Sequence, residues 1–472
     1  MSNLKQIGYF ACAIFAVKGM GFILLPITTR LLEQQEFGQL NFLVTLSALC
    51  SLVVSLGLPE LLLKQQYDSF KEKMALFRDA LILILLFSLM FILFGFVFSE
   101  DIIKALPANI KLIDLKLLII NLALAAILSI PYTYYRLFDH AQKYCFYSVS
   151  HALIQTCLTI TLLVLGYNIT GVMISGVVCT LIILAFTVHD IADAIKVSYA
   201  EFSWRIKKSQ GVFLLSIISS GLFVYAGNGA ENWFIVAYFD EKLLANYYVA
   251  AQFAIITSFT FEPIRLWWFA KRFNLIKTNK LQYQQYAILS LNTGLVLCVI
   301  MAIVAPLLLN FVLPTHYHGH DEWLVLLILV VAIRHHSDIL NIGCYMHKNG
   351  VYVSVVNLLT ACLGLTLLYF LVPRFAVEGV IAALAIMQSF KLVCFYILSQ
   401  HLEPLQLDFF AVIPSWLALV SITFVTLQFE SSLTAKGLIL VFYITGLAFQ
   451  YKSLFLPAIK KLVKGHDYAQ LL

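Results

Sequence analysis

The sequence predicts an all-α integral membrane protein with about 14 transmembrane helices, and three observations support this fold class. Of the 472 residues, 61% are hydrophobic and 12% are charged, which leaves too little polar surface for a soluble protein of this size. Apolar stretches long enough to cross about 30 Å of hydrocarbon recur along the whole chain. The polar connectors between them are short, which favours helices over barrel strands.

The apolar stretches are centred near residues 18, 50, 89, 126, 155, 180, 222, 256, 298, 333, 361, 388, 417 and 444. The first stretch follows Lys5, and no small-residue cleavage site comes after it. We therefore expect a retained first helix rather than a cleaved signal peptide. The nine cysteines are scattered, mostly inside these stretches. Such a distribution predicts small apolar fillers, with neither disulfides nor a metal site.

One segment of the chain returns about 205 residues later. Residues 143–163 match residues 348–368 without a gap, with eight identical positions. Leucine matches follow from composition alone, so the other identities carry the argument. These are Lys143/Lys348, Tyr147/Tyr352, Cys157/Cys362 and Thr161/Thr366. A duplicated membrane bundle is typical of a two-lobed transporter.

The distribution of Lys and Arg predicts the orientation of the chain. With a cytoplasmic N-terminus, the cytoplasmic connectors hold 20 of these residues and the opposite connectors hold 7, as the positive-inside rule requires. Both termini are then cytoplasmic, and both copies of the repeat share one orientation. We expect parallel six-helix lobes at residues 1–200 and 205–402. Residues 403–472 add two transmembrane helices and a cytoplasmic tail.

Three segments carry a family resemblance. Residues 30–38, which read Arg-Leu-Leu-Glu-Gln-Gln-Glu-Phe-Gly, follow the apolar residues 19–29 and resemble an "R-L-L-x-x-x-x-[FY]-G" connector. Gly57-Leu-Pro59 is similar to a Gly-Leu break near the end of the second helix. Residues 246–251 resemble a "G-x-Y-x-x-A" region, with Asn246 in place of the glycine. Together they resemble the Wzx-type O-antigen flippases, in the polysaccharide-exporter branch of the multidrug/oligosaccharidyl-lipid/polysaccharide superfamily.

The resemblance implies a V-shaped pair of lobes around a polar cavity, similar to the multidrug exporters of the superfamily. It implies transport of an undecaprenyl-pyrophosphate-linked oligosaccharide from the cytoplasmic to the periplasmic leaflet of a bacterial inner membrane. Alternating access would suffice, so we expect no enzymatic activity and no cofactor, with proton or sodium coupling left open. The expected partners are this glycan, membrane lipids, a polysaccharide polymerase and a chain-length regulator, but no nucleic acid.

Charged side chains in the middle of a span cost roughly 2.5–3.5 kcal/mol on insertion scales, so each requires an explanation. Lys18 lies in mid-helix with no acidic residue within four positions. It either pairs with another helix or lines the cavity, where an ammonium attracts pyrophosphate or acidic sugars. The depth favours the cavity. Lys391, in the twelfth stretch, is similarly isolated.

The tenth stretch contains Arg334, His335, His336 and Asp338. Arg334 and Asp338 are four positions apart and either neutralise each other or act separately. In the second case Arg334 binds a phosphate while the histidines and Asp338 titrate during transport.

Two further segments contain charged candidates. Glu262-Pro263-Ile-Arg265 combines a proline kink with an ion pair, and Arg265 is a further candidate cavity cation. Glu231 follows the flexible Gly227-Asn-Gly229. It is either a carboxylate that couples transport to a cation or a structural partner of a lysine.

Pro26, Pro59, Pro131 and Pro263 all interrupt apolar stretches. They are candidate hinges or static kinks. The run from His316 to Glu322 contains three histidines, but its short periplasmic connector argues against a metal site.

Two other functions compete with the flippase. A multidrug or other lipid-precursor exporter of the same superfamily requires an excess of cavity acids if its substrate is cationic. A membrane polymerase or glycosyltransferase requires a large outward loop with catalytic acids, whereas the longest outward connector, residues 99–113, offers only Glu100 and Asp101.

Overall fold

The computed structural model describes residues 3–64, 70–192, 208–227, 229–346, 351–428 and 433–450. Within these ranges the chain is almost entirely helical and contains no strand. We number the described α-helices α1 to α18. They are Asn3–Leu31, Gln34–Val54, Leu58–Lys64, Phe70–Val97, Ser99–Ala105, Leu112–Leu137, Ala141–Val164, Asn168–Asp190, Lys208–Ala226, Glu231–Tyr238, Glu241–Thr260, Glu262–Thr278, Lys280–Val312, Asp321–Leu340, Ile342–Met346, Val351–Leu402, Ile413–Gln428 and Leu433–Gln450.

All fourteen predicted centres lie inside a described helix, but the count of fourteen spans is not confirmed. Eleven described helices are long and apolar enough to cross a membrane, or up to twelve if one bent pair counts as a span. That pair is α9 and α10, which meet at 53°. Two other helices account for the rest of the difference from fourteen. Helix α16 counts as one span but contains two predicted centres, and the apolar part of α18, Leu433–Leu447, is short. Within α16 the backbone leaves helical geometry at Ala376, where φ is 48°.

The repeat extends to the order of the helices. Each of the six long helices before residue 191 has a counterpart that starts between about 205 and 210 residues later, as read from the helix bounds. The pairs are α1 with α9 and α10, α2 with α11, α4 with α13, α6 with α14, α7 with residues 351–375, and α8 with residues 377–402. Two six-helix sets in the same order are therefore present, and α17 and α18 follow them.

The chain divides into two compact units, one of residues 1–248 with 365–376 and one of residues 249–364 with 377–472. The first unit has a core of aliphatic and aromatic side chains that includes Leu62, Phe77 and Tyr135. A smaller cluster in the second unit joins Val356 to Phe395. The lobe boundaries predicted at residues 200, 205 and 402 stay a prediction, because residues 193–207 lie outside the described part of the chain.

The candidate hinge prolines occupy two kinds of position. Pro26 and Pro131 lie inside α1 and α6. Pro59 and Pro263 are instead the second residues of α3 and α12. A proline in the first turn costs little, because its missing N–H would have no partner in the helix. The latter two therefore start helices after a break, and a hinge role for any of the four stays a prediction.

In the first unit, α2 packs closely against the start of α11. Gly38 lies against the backbone of Glu241, so a Cβ at this position would overlap the Glu241 carbonyl. Nearby, Nε2 of Gln34 donates a hydrogen bond to Oδ1 of Asn246 at 2.6 Å. Gly38 belongs to the connector motif, and Asn246 is the departure from the family pattern. This close approach of two helices explains the glycine, and the hydrogen bond gives the asparagine a role.

In the second unit, a buried polar chain attaches α17 and α18 to α13. Asn292 in α13 donates to the carbonyl of Ala411 at 2.7 Å and accepts from the hydroxyl of Ser415 at 2.8 Å. The hydroxyl of Tyr443 in α18 donates to the Ser415 oxygen at 2.8 Å. Inside a membrane the hydrophobic effect between helices is weak, so hydrogen bonds between side chains help to hold the helices together. The two additional helices are thus part of the second unit.

Candidate functional site

A cavity of about 500 Å³ lies between α1 and α7 in the first unit. The α1 side runs from Ala13 to Leu24, about three turns that include Lys18, and α6 contributes Tyr132. The α7 side is more polar. Its lining residues are Tyr144, Ser148, His151, Ala152, Gln155 and Thr156. The groove therefore combines one cationic residue, two phenols and several uncharged polar groups.

The polar residues of α7 form a stripe along one face of the helix. Tyr144, Ser148, His151 and Gln155 are spaced by four, three and four residues, which places them above one another on a helix surface. Polar groups inside a membrane span usually face a protein interior or a water-filled cavity. Sequence reasoning concentrated on charged residues and missed this stripe, although its spacing was the available signal.

The second copy of the repeat does not share these polar residues. At the positions 205 residues later, Ser148 and His151 are replaced by Val353 and Val356, and Lys18 is replaced by Phe223. The positions of Gln155 and Ala152 hold Thr360 and Asn357 in the second copy. The lysine and the histidine of the groove therefore belong to the first copy alone. Because the duplicated positions otherwise build the same helices, this difference marks a property that bundle formation does not require.

Neighbouring helices hold the stripe in place. Nε2 of His151 lies 3.5 Å from Oγ1 of Thr180 in α8, and that hydroxyl lies 3.1 Å from Oδ1 of Asn121 in α6. Thr159 and Ser175 bring their hydroxyl oxygens to 2.6 Å and join α7 to α8. The short Thr159–Ser175 contact and the longer His151–Thr180 contact attach α7 to α8, and the stripe lines the groove that α7 shares with α1.

Lys18 lies on the exposed part of α1 and lines this groove. It shares the cavity with Tyr132, whose ring packs edge-on against Tyr144 with centroids 5.6 Å apart. Both alternatives for Lys18, a partner on another helix and a part in substrate binding, stay predictions.

The second unit brings together three of the predicted residues. Arg334 is exposed and Asp338 is half-buried on the same face of α14. The charges of both act on the ammonium of Lys391 in α16, which also lies 5.7 Å from the ring centroid of Phe395. Lys391 is therefore not isolated. The charge of Asp338 also acts on Arg272 in α12, which donates to the Asp338 carbonyl at 3.2 Å. The cluster therefore holds three cations and one carboxylate, and Asp338 does not serve Arg334 alone.

Two hydrogen bonds define the protonation of His336. Its Nδ1 lies 3.0 Å from the carbonyl of Ala332 and must donate to it. Nε1 of Trp416 donates to its Nε2 at 3.2 Å. A ring that donates through one nitrogen and accepts through the other is neutral. Protonation of Nε2 would oppose the Trp416 N–H, so the geometry disfavours His336 as a titrating group.

His335 is also buried, with its ring against Phe261 at 4.5 Å between centroids. Its Nε2 lies 3.0 Å from the carbonyl of Ser290 in α13, and Gly294 packs directly against the ring. Successive helix residues point about 100° apart, which is why the two histidines enter the bundle while Arg334 remains exposed. The chain sequence places these residues side by side, but the fold gives them different environments.

Glu231 is the first residue of α10 and is 9% exposed. The hydroxyl of Tyr247 approaches its Oε1 at 3.5 Å. The adjacent Asn232 donates to Oγ1 of Thr45 at 2.8 Å. Glu231 therefore lies in a polar contact between α10, α11 and α2, and its coupling role stays a prediction. The side chains of Pro263 and Arg265 lie outside the described residues.

The histidines of the connector before α14 contact a backbone carbonyl and a tryptophan ring. A ring nitrogen of His318 lies 2.9 Å from the carbonyl of Leu313, and His320 stacks on Trp323 at 4.1 Å between centroids. Burial lowers the pKa of His320, against the opposite effects of Glu378 and Asp321. Within the described ranges, no three metal-ligating side chains come together.

Comparisons with known proteins agree with this architecture. The profile of the family described as "Polysaccharide biosynthesis protein" matches residues 3–265, more than half of the chain. The structure resembles that of the lipid II flippase MurJ in an inward closed conformation with a TM-score of 0.67 at 12% identity, covering 95% of this chain and 100% of that one. No curated protein sequence matches.

Multidrug transporters are also similar. An inward-facing transporter of the MATE family in the MOP superfamily has a TM-score of 0.54 at 10% identity, covering 84% of this chain and 97% of that one. A MOP superfamily transporter from Pyrococcus furiosus, described as having a binding pocket of reverse polarity, has a TM-score of 0.52 at 11% identity, covering 84% and 95%. The solved structures that share this fold are transporters. The chain therefore belongs to the polysaccharide biosynthesis protein family and has the fold of the MOP superfamily transporters.

Proposed function

We propose that this protein flips an undecaprenyl-pyrophosphate-linked oligosaccharide, an O-antigen or related repeat unit of a lipopolysaccharide, across a bacterial inner membrane. Transport from the cytoplasmic to the periplasmic leaflet proceeds by alternating access, with both termini cytoplasmic. The observation that carries the proposal is the α1–α7 groove, in which Lys18 faces the polar stripe of α7. The family supports a polysaccharide substrate, and the fold supports transport.

The groove residues match the chemistry of such a substrate. Two unit charges 4 Å apart attract by about 4 kcal/mol at an effective dielectric constant of 20, so the Lys18 ammonium favours a phosphate or an acidic sugar. Ser148, His151 and Gln155 offer donors and acceptors to sugar hydroxyls. Tyr132 and Tyr144 present rings on which an apolar sugar face packs. Arg334 and Lys391 add two cations in the second unit.

Export of cationic drugs is the competing function within the same fold. It requires carboxylates in the binding cavity, because a buried cation is stable only when paired. The charged residue of the described groove is instead Lys18. The groove thus favours an anionic or neutral saccharide. The proposed coupling ion is a proton or a sodium ion, with Glu231 or Asp338 as its carboxylate. The proposed partners are a polymerase and a chain-length regulator.

The test measures surface polysaccharide in cells that depend on this chain for export. We expect Lys18→Ala and Arg334→Ala to abolish the polymer while the protein remains in the membrane at normal levels. Lys104→Ala is the matched control, because Lys104 is an exposed lysine on α5 that does not line the groove. Normal polymer levels in both variants would overturn the assignment of these cations to substrate binding.

A second measurement separates the substrate classes. Purified protein in liposomes is assayed for movement of a fluorescent undecaprenyl-pyrophosphate oligosaccharide and, separately, for uptake of a cationic dye. We expect movement of the lipid-linked saccharide and no dye transport. Dye transport without saccharide movement would favour the multidrug exporter.

A further inference from the structure

A second cavity, of about 510 Å³, lies in the second unit between the first turns of α13 and the connector that precedes α17. Its apolar side includes Leu281 and Leu289, which are 66% and 48% exposed. Its polar side is formed by Gln284, Gln285, Gln406 and Asp408. The groove thus changes from apolar to polar at the end of a membrane-spanning helix.

The position of this groove relates it to the lipid headgroups. Helix α13 begins at Lys280 and continues into apolar sequence, so its first turns lie where a span meets the membrane interface. Lys271, Lys277 and Lys280 lie just before or at the start of this span, and such an excess of basic residues predicts a cytoplasmic location for this end. A molecule that fills the groove therefore contacts both acyl chains and headgroups of the inner leaflet.

We propose that this groove binds a zwitterionic aminophospholipid, with phosphatidylethanolamine as the representative ligand. The exposed Leu281 and Leu289 pack against its acyl chains. The side-chain amides of Gln284 and Gln406 donate to its phosphate, and Asp408 accepts a hydrogen bond from its ammonium group. An ammonium–carboxylate hydrogen bond is about twice as strong as a neutral one, so Asp408 selects a headgroup that retains N–H donors.

The charge of the groove argues against an anionic lipid. Asp408 is the charged residue among the described lining residues, and no cation lines the cavity with it. The nearest lysine along the chain, Lys280, is engaged by Glu403 at 2.6 Å. A carboxylate without a lining cation repels phosphatidylglycerol and also the pyrophosphate of the proposed transport substrate. The site is therefore distinct from the α1–α7 groove in both place and chemistry.

Asp408 permits a clean substitution. Its Oδ1 accepts a hydrogen bond from the backbone N–H of Phe410 at 3.2 Å, and asparagine caps such a turn equally well. Asp408→Asn therefore removes the charge while it keeps the local backbone. Asp240→Asn is the matched control. Asp240 is also exposed and also accepts a backbone N–H, that of Leu243 at 2.7 Å, but it lies in the first unit.

The experiment is native mass spectrometry of the full chain, delipidated in detergent and titrated with single lipids. We expect phosphatidylethanolamine to bind at least about tenfold more tightly than phosphatidylcholine, whose quaternary amine has no N–H, or phosphatidylglycerol. Asp408→Asn should weaken phosphatidylethanolamine binding about tenfold, a loss of about 1.4 kcal/mol, and Asp240→Asn should leave it unchanged. Equal binding of the three lipids, or unchanged binding by Asp408→Asn, would overturn the proposal.

Discussion

Replacing the polar stripe of α7 with the residues of the second repeat copy should weaken substrate recognition and leave the bundle intact. The perturbation is the triple variant Ser148→Val, His151→Val and Gln155→Thr, which copies Val353, Val356 and Thr360. Valine at the equivalent positions already supports a membrane helix in the second unit. The variant therefore removes the groove chemistry with residues that this fold accepts.

The magnitude follows from the hydrogen bonds lost. Each net hydrogen bond contributes about 0.5–1.5 kcal/mol, so three bonds to sugar hydroxyls amount to about 1.5–4.5 kcal/mol if the terms add. At 1.4 kcal/mol per factor of ten, binding should weaken between about tenfold and a thousandfold. The free energy of unfolding should change less than the free energy of substrate binding. His151 loses only a long contact to Thr180 at 3.5 Å, and valine is more favourable than histidine in hydrocarbon.

The assay is movement of the fluorescent lipid-linked oligosaccharide in liposomes, together with thermal unfolding in detergent. We expect transport at limiting substrate to fall at least about tenfold while the unfolding temperature stays close to that of the parent. Ile154→Val is the control, because Ile154 lies on the exposed side of the same helix, 37% exposed and outside the groove. Parental transport by the triple variant would refute the groove as the recognition site. A large fall in unfolding temperature would show instead that the stripe is structural.

Three further predictions concern packing and protonation. His336→Ala leaves the Trp416 N–H without its acceptor, so thermal unfolding should show a loss of about 1–3 kcal/mol, and a shift in the pH dependence of transport would contradict the neutral tautomer. Gly38→Val inserts side-chain atoms against Glu241, so we expect a loss of about 1–3 kcal/mol from overpacking and reduced transport, whereas parental behaviour would show that α2 and α11 need no close approach. Asn292→Ala leaves the Ser415 hydroxyl without its acceptor and should cost about 1–3 kcal/mol. Faster proteolysis of the chain after α17 would reveal this loss of stability. Tyr443→Phe removes one hydrogen bond and should destabilise the protein less.

The charged residues show how far sequence reasoning reached toward the site. A lysine at mid-span needs a polar environment, which predicts a cavity position for Lys18. The structure places Lys18 along the α1–α7 groove, and its role there stays a prediction. Lys391 also looked isolated, yet Arg334 and Asp338 lie close enough for their charges to act on it. Sequence separation hid this cluster, because α14 and α16 approach each other only in the folded bundle.

The uncharged residues show where sequence reasoning failed. Ser148, His151 and Gln155 were visible within the repeated segment, but a polar stripe has the same appearance whether it faces a cavity or another helix. His335 and His336 were grouped with Asp338 because they are neighbours in the chain. A helix rotates each successive side chain by about 100°, and their partners Ser290 and Trp416 come from α13 and α17. Adjacent residues therefore acquired different environments.

The sequence by itself determined that the chain crosses a membrane many times as helices, since the polar backbone of an apolar segment must satisfy its hydrogen bonds internally in hydrocarbon. It also determined the duplication, because identical residues recur at an offset of 205 positions. Only the tertiary structure decided which faces meet. Whether Lys18 shares a cavity with the α7 stripe, or Asn292 holds α17 and α18, depends on helix rotation and packing. These are set by many weak contacts between distant residues, which no local pattern records.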